Sequence, residues 1–161
     1  MKENLFLVPV VYPEFERTVE DPIDLTGFSI SSNNLSDLTD PKETRIWGVR
    51  DSSLNRRFYQ KMMPRDILLF YNSGDYIYKG RVGAKFQSQE ISRQYWDDIP
   101  ANLLYSVKDL EKLSLPKEYL NEACEYKINY QPQSLRIVDT QPLWKLERKH
   151  GTVQDFLAEY R

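Results

Sequence analysis

Residues 66–82, DILLFYNSGDYIYKGRV, decide the fold of this chain. The apolar run ILLFY favours a buried strand, and the turn-forming run NSGD that follows it favours a tight connection. A second strand begins at Tyr76, so the stretch predicts a β-hairpin. Gly80 and Gly83 within this second strand indicate a bulge, or a bend where a barrel closes.

Weaker patterns extend the assignment of strands and helices along the rest of the chain. An acidic connector is expected at residues 13–24, and a surface loop or short helix at 109–130. Further strands are predicted at residues 5–12, 27–31, 45–49, 103–107 and 135–138, and helices at about 53–62, at 88–98 and after the capping box of Thr152 and Asp155. The fold class is therefore mixed α/β (α+β), an open barrel of about six short strands with helices packed outside.

Composition disfavours several classes of function. Cys124 is the only cysteine and His150 the only histidine among 161 residues, so an internal disulfide or a zinc site built from these residue types lacks its partners. No nucleophile motif stands near His150, and the six glycines form no nucleotide-phosphate loop. Hydrolase, redox and NTPase functions are disfavoured, no cofactor or metal is expected, and a binding module is favoured over an enzyme.

The sequence offers no sign of a membrane segment. It contains no uninterrupted run of about 18 apolar residues, and the short apolar stretch near its start lacks the small-residue site of a signal peptide. A single cysteine suits a reducing compartment. We therefore expect a cytoplasmic location and no membrane partner.

Charge is distributed unevenly along the chain, although the net charge is only −2. Residues 1–44 carry three basic and nine acidic side chains, whereas residues 45–93 carry ten basic and four acidic ones. A basic segment in an otherwise acidic chain is what a phosphate-facing surface needs, although such segments also coat ordinary solvated faces. The candidate phosphate contacts are Arg50, Arg56, Arg57, Lys61, Arg81 and Lys85.

The order of several short motifs resembles the YTH and EVE domains of the PUA-like superfamily. The matching pieces are Ser31-Ser32-Asn33-Asn34, the IWGV run around Trp47, the helix at 53–62, the strand and turn ending at Gly74, the Gly80-Arg81-Val82 strand and Trp96. The resemblance implies a PUA-like fold over residues 27–161. Residues 1–26, an N-terminal strand and acidic connector, have no counterpart in a minimal YTH domain.

YTH domains bind N6-methyladenine in an aromatic cage, and the resemblance implies such a cage here. Trp47 and Trp96 match two cage walls, and the third wall has only candidates, Leu103 and Tyr95. A flipped base gains about 1–3 kcal/mol from each aromatic face on which it stacks. From composition alone, Trp47 in its apolar strand suits the core equally well, and Trp144 is expected to pack there.

The resemblance also implies contacts to the edge of the base. The backbone carbonyl of Gly48 would accept the N–H of the methylated amine, while Ser32, Asn33 and Asp37 match the run that reads the adenine edge. Asn33 and its neighbour could instead form a simple turn.

Two basic phosphate contacts of the family are missing, because Val138 and Ser31 stand in their places. This departure favours methylated duplex DNA with a flipped base over RNA. Domains of this kind also resemble the N-terminal DNA-recognition domains of archaeal McrB-type restriction GTPases, which implies a module that could be fused to an AAA+ GTPase region.

Three alternatives remain open from the sequence. The ligand could be RNA carrying N6-methyladenine, or another modified base such as 5-methylcytosine. The chain could be an enzyme of a related PUA-like fold that acts on a small nucleoside derivative. Finally, both tryptophans could be core residues of a protein-interaction module, which would bind no nucleic acid at any salt concentration.

Overall fold

The apolar run of the opening stretch forms strand β3 (Ile67–Asn72), which turns back into strand β4 (Asp75–Phe86), as predicted. Ser73 and Gly74 form the turn with positive φ angles of 50° and 94°. Positive φ at both central residues belongs to a type I′ turn, whose twist matches that of the two flanking strands.

The computed structural model of the protein describes residues 2–28, 40–96 and 102–161. The remaining strands are β1 (Leu5–Pro9), β2 (Arg45–Val49), β5 (Leu103–Pro116) and β6 (Arg136–Ile137). The helices are a short π-helix (Glu16–Glu20), α1 (Ser53–Lys61), α2 (Gln89–Tyr95), α3 (Lys117–Cys124), α4 (Thr140–His150) and α5 (Val153–Ala158).

The six strands form one mixed sheet in the order β2-β5-β4-β3-β1-β6. Strand β1 runs parallel to β3 and antiparallel to β6, and β2 runs antiparallel to β5 with Trp47 opposite Tyr105. The predicted α+β class, with about six strands and helices outside the sheet, is confirmed for the described residues.

The chain divides into two compact units, and strands β4 and β5 contribute residues to both. The first unit comprises Met1–Val10, Ile67–Gly80 and Leu110–Arg161. Its core is formed by β1 and β3 with the three C-terminal helices, and Cys124 is buried there as a free thiol. The predicted capping box begins α5, since Thr152 and Asp155 each accept the backbone N–H of the other.

The second unit comprises Val11–Asp66 and Arg81–Asp109. It contains the π-helix, β2, α1 and α2, and the adjacent parts of β4 and β5. Ser52 caps α1 by accepting the N–H of Asn55. Its fully buried side chains include Phe15, Ile46, Met62, Ile91, Leu104 and Tyr105.

Residues 109–130 contain the expected short helix, α3, and also the end of β5, which was not predicted. Two other sequence expectations were wrong. The connector at 13–24 contains the π-helix instead of loop alone. Trp144 is 52% exposed rather than packed, because Leu143 and Leu146 form the buried face of the unpredicted helix α4. The strand expected at 27–31 lies largely outside the described residues, and residues 26–28 form a turn and a bend.

No helix of the described residues is long and apolar enough to cross a membrane.

Gly83 of β4 is approached closely by side chains of β5. A Cβ at this position would collide with the hydroxyl of Ser106 and lie 3.3 Å from Cε of Lys108. The same hydroxyl accepts the buried N–H of Ala84 at 2.8 Å. Close approach of the neighbouring strand, rather than a special φ angle, therefore explains the glycine.

We expect Gly83→Ala to destabilise the protein by about 1–3 kcal/mol, because Ser106 must turn away and leave a buried N–H unpaired. In a Ser106→Ala background the collision is absent, so the same substitution should cost less than in the natural chain. Urea unfolding of the two single variants and the double variant measures this coupling. Equal costs of Gly83→Ala in both backgrounds would contradict the proposed collision.

Candidate nucleic-acid interface

The structure brings together Trp47 and Trp96, the two residues that the resemblance assigns to the walls of a cage. Trp47 lies at the centre of β2, and Trp96 is the C-cap residue of α2. Their ring centroids are 5.6 Å apart, and the rings meet edge to face at 63°. This arrangement is a favourable one for aromatic pairs.

Both tryptophans are buried, with only 3% of Trp47 and 6% of Trp96 exposed. A base sandwiched between two parallel rings needs a separation of about 7 Å, which is two van der Waals distances of about 3.5 Å each. The observed separation is smaller and the rings are not parallel. A base could therefore enter between the two rings only if one of them moved.

Phe15 packs against the other side of this site and was missed by the sequence analysis. Its ring is fully buried and meets that of Trp47 edge to face, with centroids 5.5 Å apart. Tyr12 contacts Phe15 in turn at 5.8 Å. The signal in the sequence was weak, because Phe15 stands between two glutamates in a stretch with the composition of a loop.

Two arginines hold the segment that carries Phe15. The guanidinium of Arg45 donates to the backbone carbonyls of Val19 and Glu20, the latter at 2.8 Å. Arg17 donates to the carbonyl of Tyr95 at 3.1 Å. Since Arg45 precedes Trp47 by two residues and Tyr95 directly precedes Trp96, the N-terminal segment is hydrogen-bonded beside both tryptophans.

The other predicted cage residues lie near the ends of the same elements. Leu103 is buried at the start of β5, opposite Val49 of β2. Tyr95 is half-buried, and its ring lies 6.4 Å from that of Phe28. Gly48 is buried opposite Leu104. The predicted base-edge residues Ser32, Asn33 and Asp37 lie outside the described residues.

The predicted phosphate contacts differ in how the protein already uses them. Arg50, Arg57 and Lys61 are exposed. Arg56 is exposed as well, but it forms a two-point ion pair with Asp51, in which its Nε donates to Oδ1 at 2.9 Å.

Arg81 and Lys85 of β4 are half-buried and donate to backbone carbonyls. Arg81 donates to the carbonyl of Arg65 at 2.8 Å, and Lys85 to that of Tyr59 at 3.1 Å. Burial lowers the pKa of Lys85, while the nearby carboxylate of Asp66 opposes the shift. Among the six predicted contacts, those on and beside α1 are therefore the better placed to meet a phosphate.

Within the described residues, no three His, Cys, Asp or Glu side chains are grouped as a metal site would require.

The fold is shared with a solved nucleic-acid complex. The N-terminal domain of McrB from Thermococcus gammatolerans, bound to m5C DNA, matches with a TM-score of 0.63 and 17% sequence identity, over 91% of this chain and 96% of that one. The predicted PUA-like fold is confirmed. The sequence matches no protein-family model and no curated protein.

Two more distant structures have similar coverage. ASCH from Zymomonas mobilis has a TM-score of 0.47 and 13% identity, over 89% of this chain and 94% of that one. Human THYN1, in complex with 5-methylcytosine containing DNA, has a TM-score of 0.43 and 14% identity, over 91% of this chain and 98% of that one.

We expect Phe15→Ala to destabilise the protein by about 3–5 kcal/mol, because it empties a fully buried ring site against Trp47. Tyr12→Ala is the matched control, since Tyr12 is 43% exposed and its removal should cost far less. Thermal unfolding followed by tryptophan fluorescence reports both effects. If the two variants unfolded alike, the packing role of Phe15 would be refuted.

Proposed function

We propose that this chain binds DNA and reads a modified base without chemically altering it. The observation that supports the proposal is the likeness, over nearly the whole chain, to the McrB N-terminal domain bound to m5C DNA. The exposed cations Arg50, Arg57 and Lys61 offer a surface for the phosphate backbone.

We propose that the base is turned out of the duplex into the second unit. Flipping costs a few kcal/mol, which stacking and hydrogen bonds to the edge of the base must exceed. An added methyl group gains about 0.8 kcal/mol when it is removed from water, so an apolar wall beside it would favour the modified base. Trp47 and Trp96 supply such walls if their contact opens.

Two modified bases are proposed as ligands. N6-methyladenine follows from the resemblance of the chain to YTH domains. The alternative, 5-methylcytosine, is favoured by the DNA held by the McrB domain. By the same likeness we propose that the domain serves as the recognition module of a modification-dependent restriction system, with an AAA+ GTPase region on the same or a partner chain.

The test is fluorescence anisotropy with labelled probes at one fixed salt concentration. The probes are duplex DNA of one sequence, unmodified or with N6-methyladenine or 5-methylcytosine, and the matching single-stranded RNAs. We expect the tightest binding to one methylated duplex. Tighter binding to a methylated RNA would show that RNA rather than DNA is the ligand. Equal binding of all probes, or binding of none, would refute the proposal that the chain reads a modified base.

Two tryptophan variants test the walls without emptying the core. Trp47→Phe and Trp96→Phe keep an aromatic ring but reduce the stacking area, and circular dichroism checks that they fold. If the rings contact the base, each variant should lower the preference for the methylated probe several-fold, since stacking is worth about 1–3 kcal/mol per base. An unchanged preference in both variants would confine the tryptophans to the core.

The phosphate surface has a separate signature in the dependence of affinity on salt. Arg57→Ala and Lys61→Ala should each weaken binding to all duplexes alike and reduce the slope of log K against log salt by about 1. Lys127→Ala is the control, because Lys127 is an exposed lysine outside the basic segment. If the slopes of all three variants equalled that of the natural chain, α1 would not face the phosphates.

A further inference from the structure

A polar cavity of about 380 Å³ lies in the second unit, apart from the tryptophan pair. It is lined by Asp51, Gln87, Ser88, Gln89 and Asn102. Asp51 follows β2, Gln87 and Ser88 join β4 to α2, and Asn102 precedes β5. Resting on the proposed function, we propose that this cavity receives the flipped base and reads its hydrogen-bonding edge.

The lining suits a neutral heterocycle better than an anion. The amides of Gln87, Gln89 and Asn102 can each donate and accept hydrogen bonds. Among the described residues that line the cavity, none is cationic and the carboxylate of Asp51 is paired with Arg56. A phosphate would therefore find no unpaired opposite charge in this lining, while a base edge with both donors and acceptors would be matched. The volume falls within the range of about 300–1,000 Å³ that is usual for small-ligand sites.

Two of the lining side chains are already held in place. The ion pair with Arg56 orients the carboxylate of Asp51. Ser88 caps α2, because its hydroxyl accepts the N–H of Ile91 at 3.3 Å. Fixed polar groups bind a ligand with less loss of side-chain freedom than mobile ones.

The cavity is separate from the aromatic pair along α2. Ser88 stands at the start of this helix and Trp96 at its end, and eight residues of helix rise about 12 Å. A base in the cavity leaves the contact between Trp47 and Trp96 intact, so the cavity and the opened tryptophan pair are alternative sites for the base. Arg50 and Arg57 are exposed and adjoin the Asp51–Arg56 ion pair in sequence.

The first test uses free nucleosides, so that it does not depend on DNA binding. Side-chain amide signals of Gln87, Gln89 and Asn102 are followed by NMR during titration with deoxyadenosine, deoxycytidine, N6-methyldeoxyadenosine and 5-methyldeoxycytidine. We expect saturable shifts of these signals, largest for one methylated nucleoside. Gln133, an exposed amide of the first unit, is the internal control and should not shift.

The second test measures the affinity of Gln89→Ala and Asn102→Ala for the methylated duplex, with Gln133→Ala as control. Each should weaken binding roughly five- to a hundred-fold, the worth of a good pair of hydrogen bonds to a base. The salt slope should stay unchanged, because no charge is removed.

Saturable amide shifts, or a selective loss of affinity in the two variants, would support the cavity as the base site. The absence of both would overturn it. Selective DNA binding that neither variant changes, with no amide shifts, would leave the proposed function standing without the cavity. Amide shifts in a protein that binds no DNA would support the cavity as a nucleoside site but refute the proposed function.

Discussion

The candidate site depends on the contact between Trp47 and Trp96. A buried aromatic side chain removes on the order of 150–250 Å² from water against all of its neighbours, so exposing one of these rings fully would cost about 4–6 kcal/mol at 25 cal/mol per Å². Stacking a base returns about 1–3 kcal/mol per ring. A base can therefore separate the two rings only if its own contacts replace nearly all of the packing that they lose. A base that enters the polar cavity does not have to separate the rings.

The N-terminal segment makes the pair still harder to open. Phe15 covers one side of Trp47, and its segment is hydrogen-bonded by Arg45 and Arg17 to the elements that carry the two tryptophans. Moving Trp47 would disturb Phe15 and the neighbouring hydrogen bonds together, so their costs add to that of the ring contact. The pair is thus better suited to stiffening β2 and α2, whose ends line the cavity, than to swinging open.

The fold was predictable from the sequence where one pattern dominated. The apolar run before Gly74 and the turn chemistry of Ser73 and Gly74 led directly to the hairpin. Helix α4 was not predicted; it contains Pro142 in its first turn, where proline is tolerated. The order of the motifs placed Trp47 and Trp96 in one site. Phe15 and the residues that line the cavity come together only through tertiary packing, which produces no periodic pattern in the sequence. Ser32, Asn33 and Asp37 stay predictions.

Charge and hydrogen bonding are divided between neighbouring parts of the second unit. Arg57 and Lys61 lie on α1 and meet solvent, where a cation contacts any phosphate regardless of sequence. Gln87, Gln89 and Asn102 are neutral and line a concave space, where we propose that hydrogen bonds distinguish one base from another. Asp51 joins the two regions, because its carboxylate lines the cavity while Arg56 neutralises it from α1. Without that ion pair the carboxylate would repel an approaching phosphate backbone, so one interaction would allow the proposed base-reading surface to sit beside the proposed phosphate-binding one.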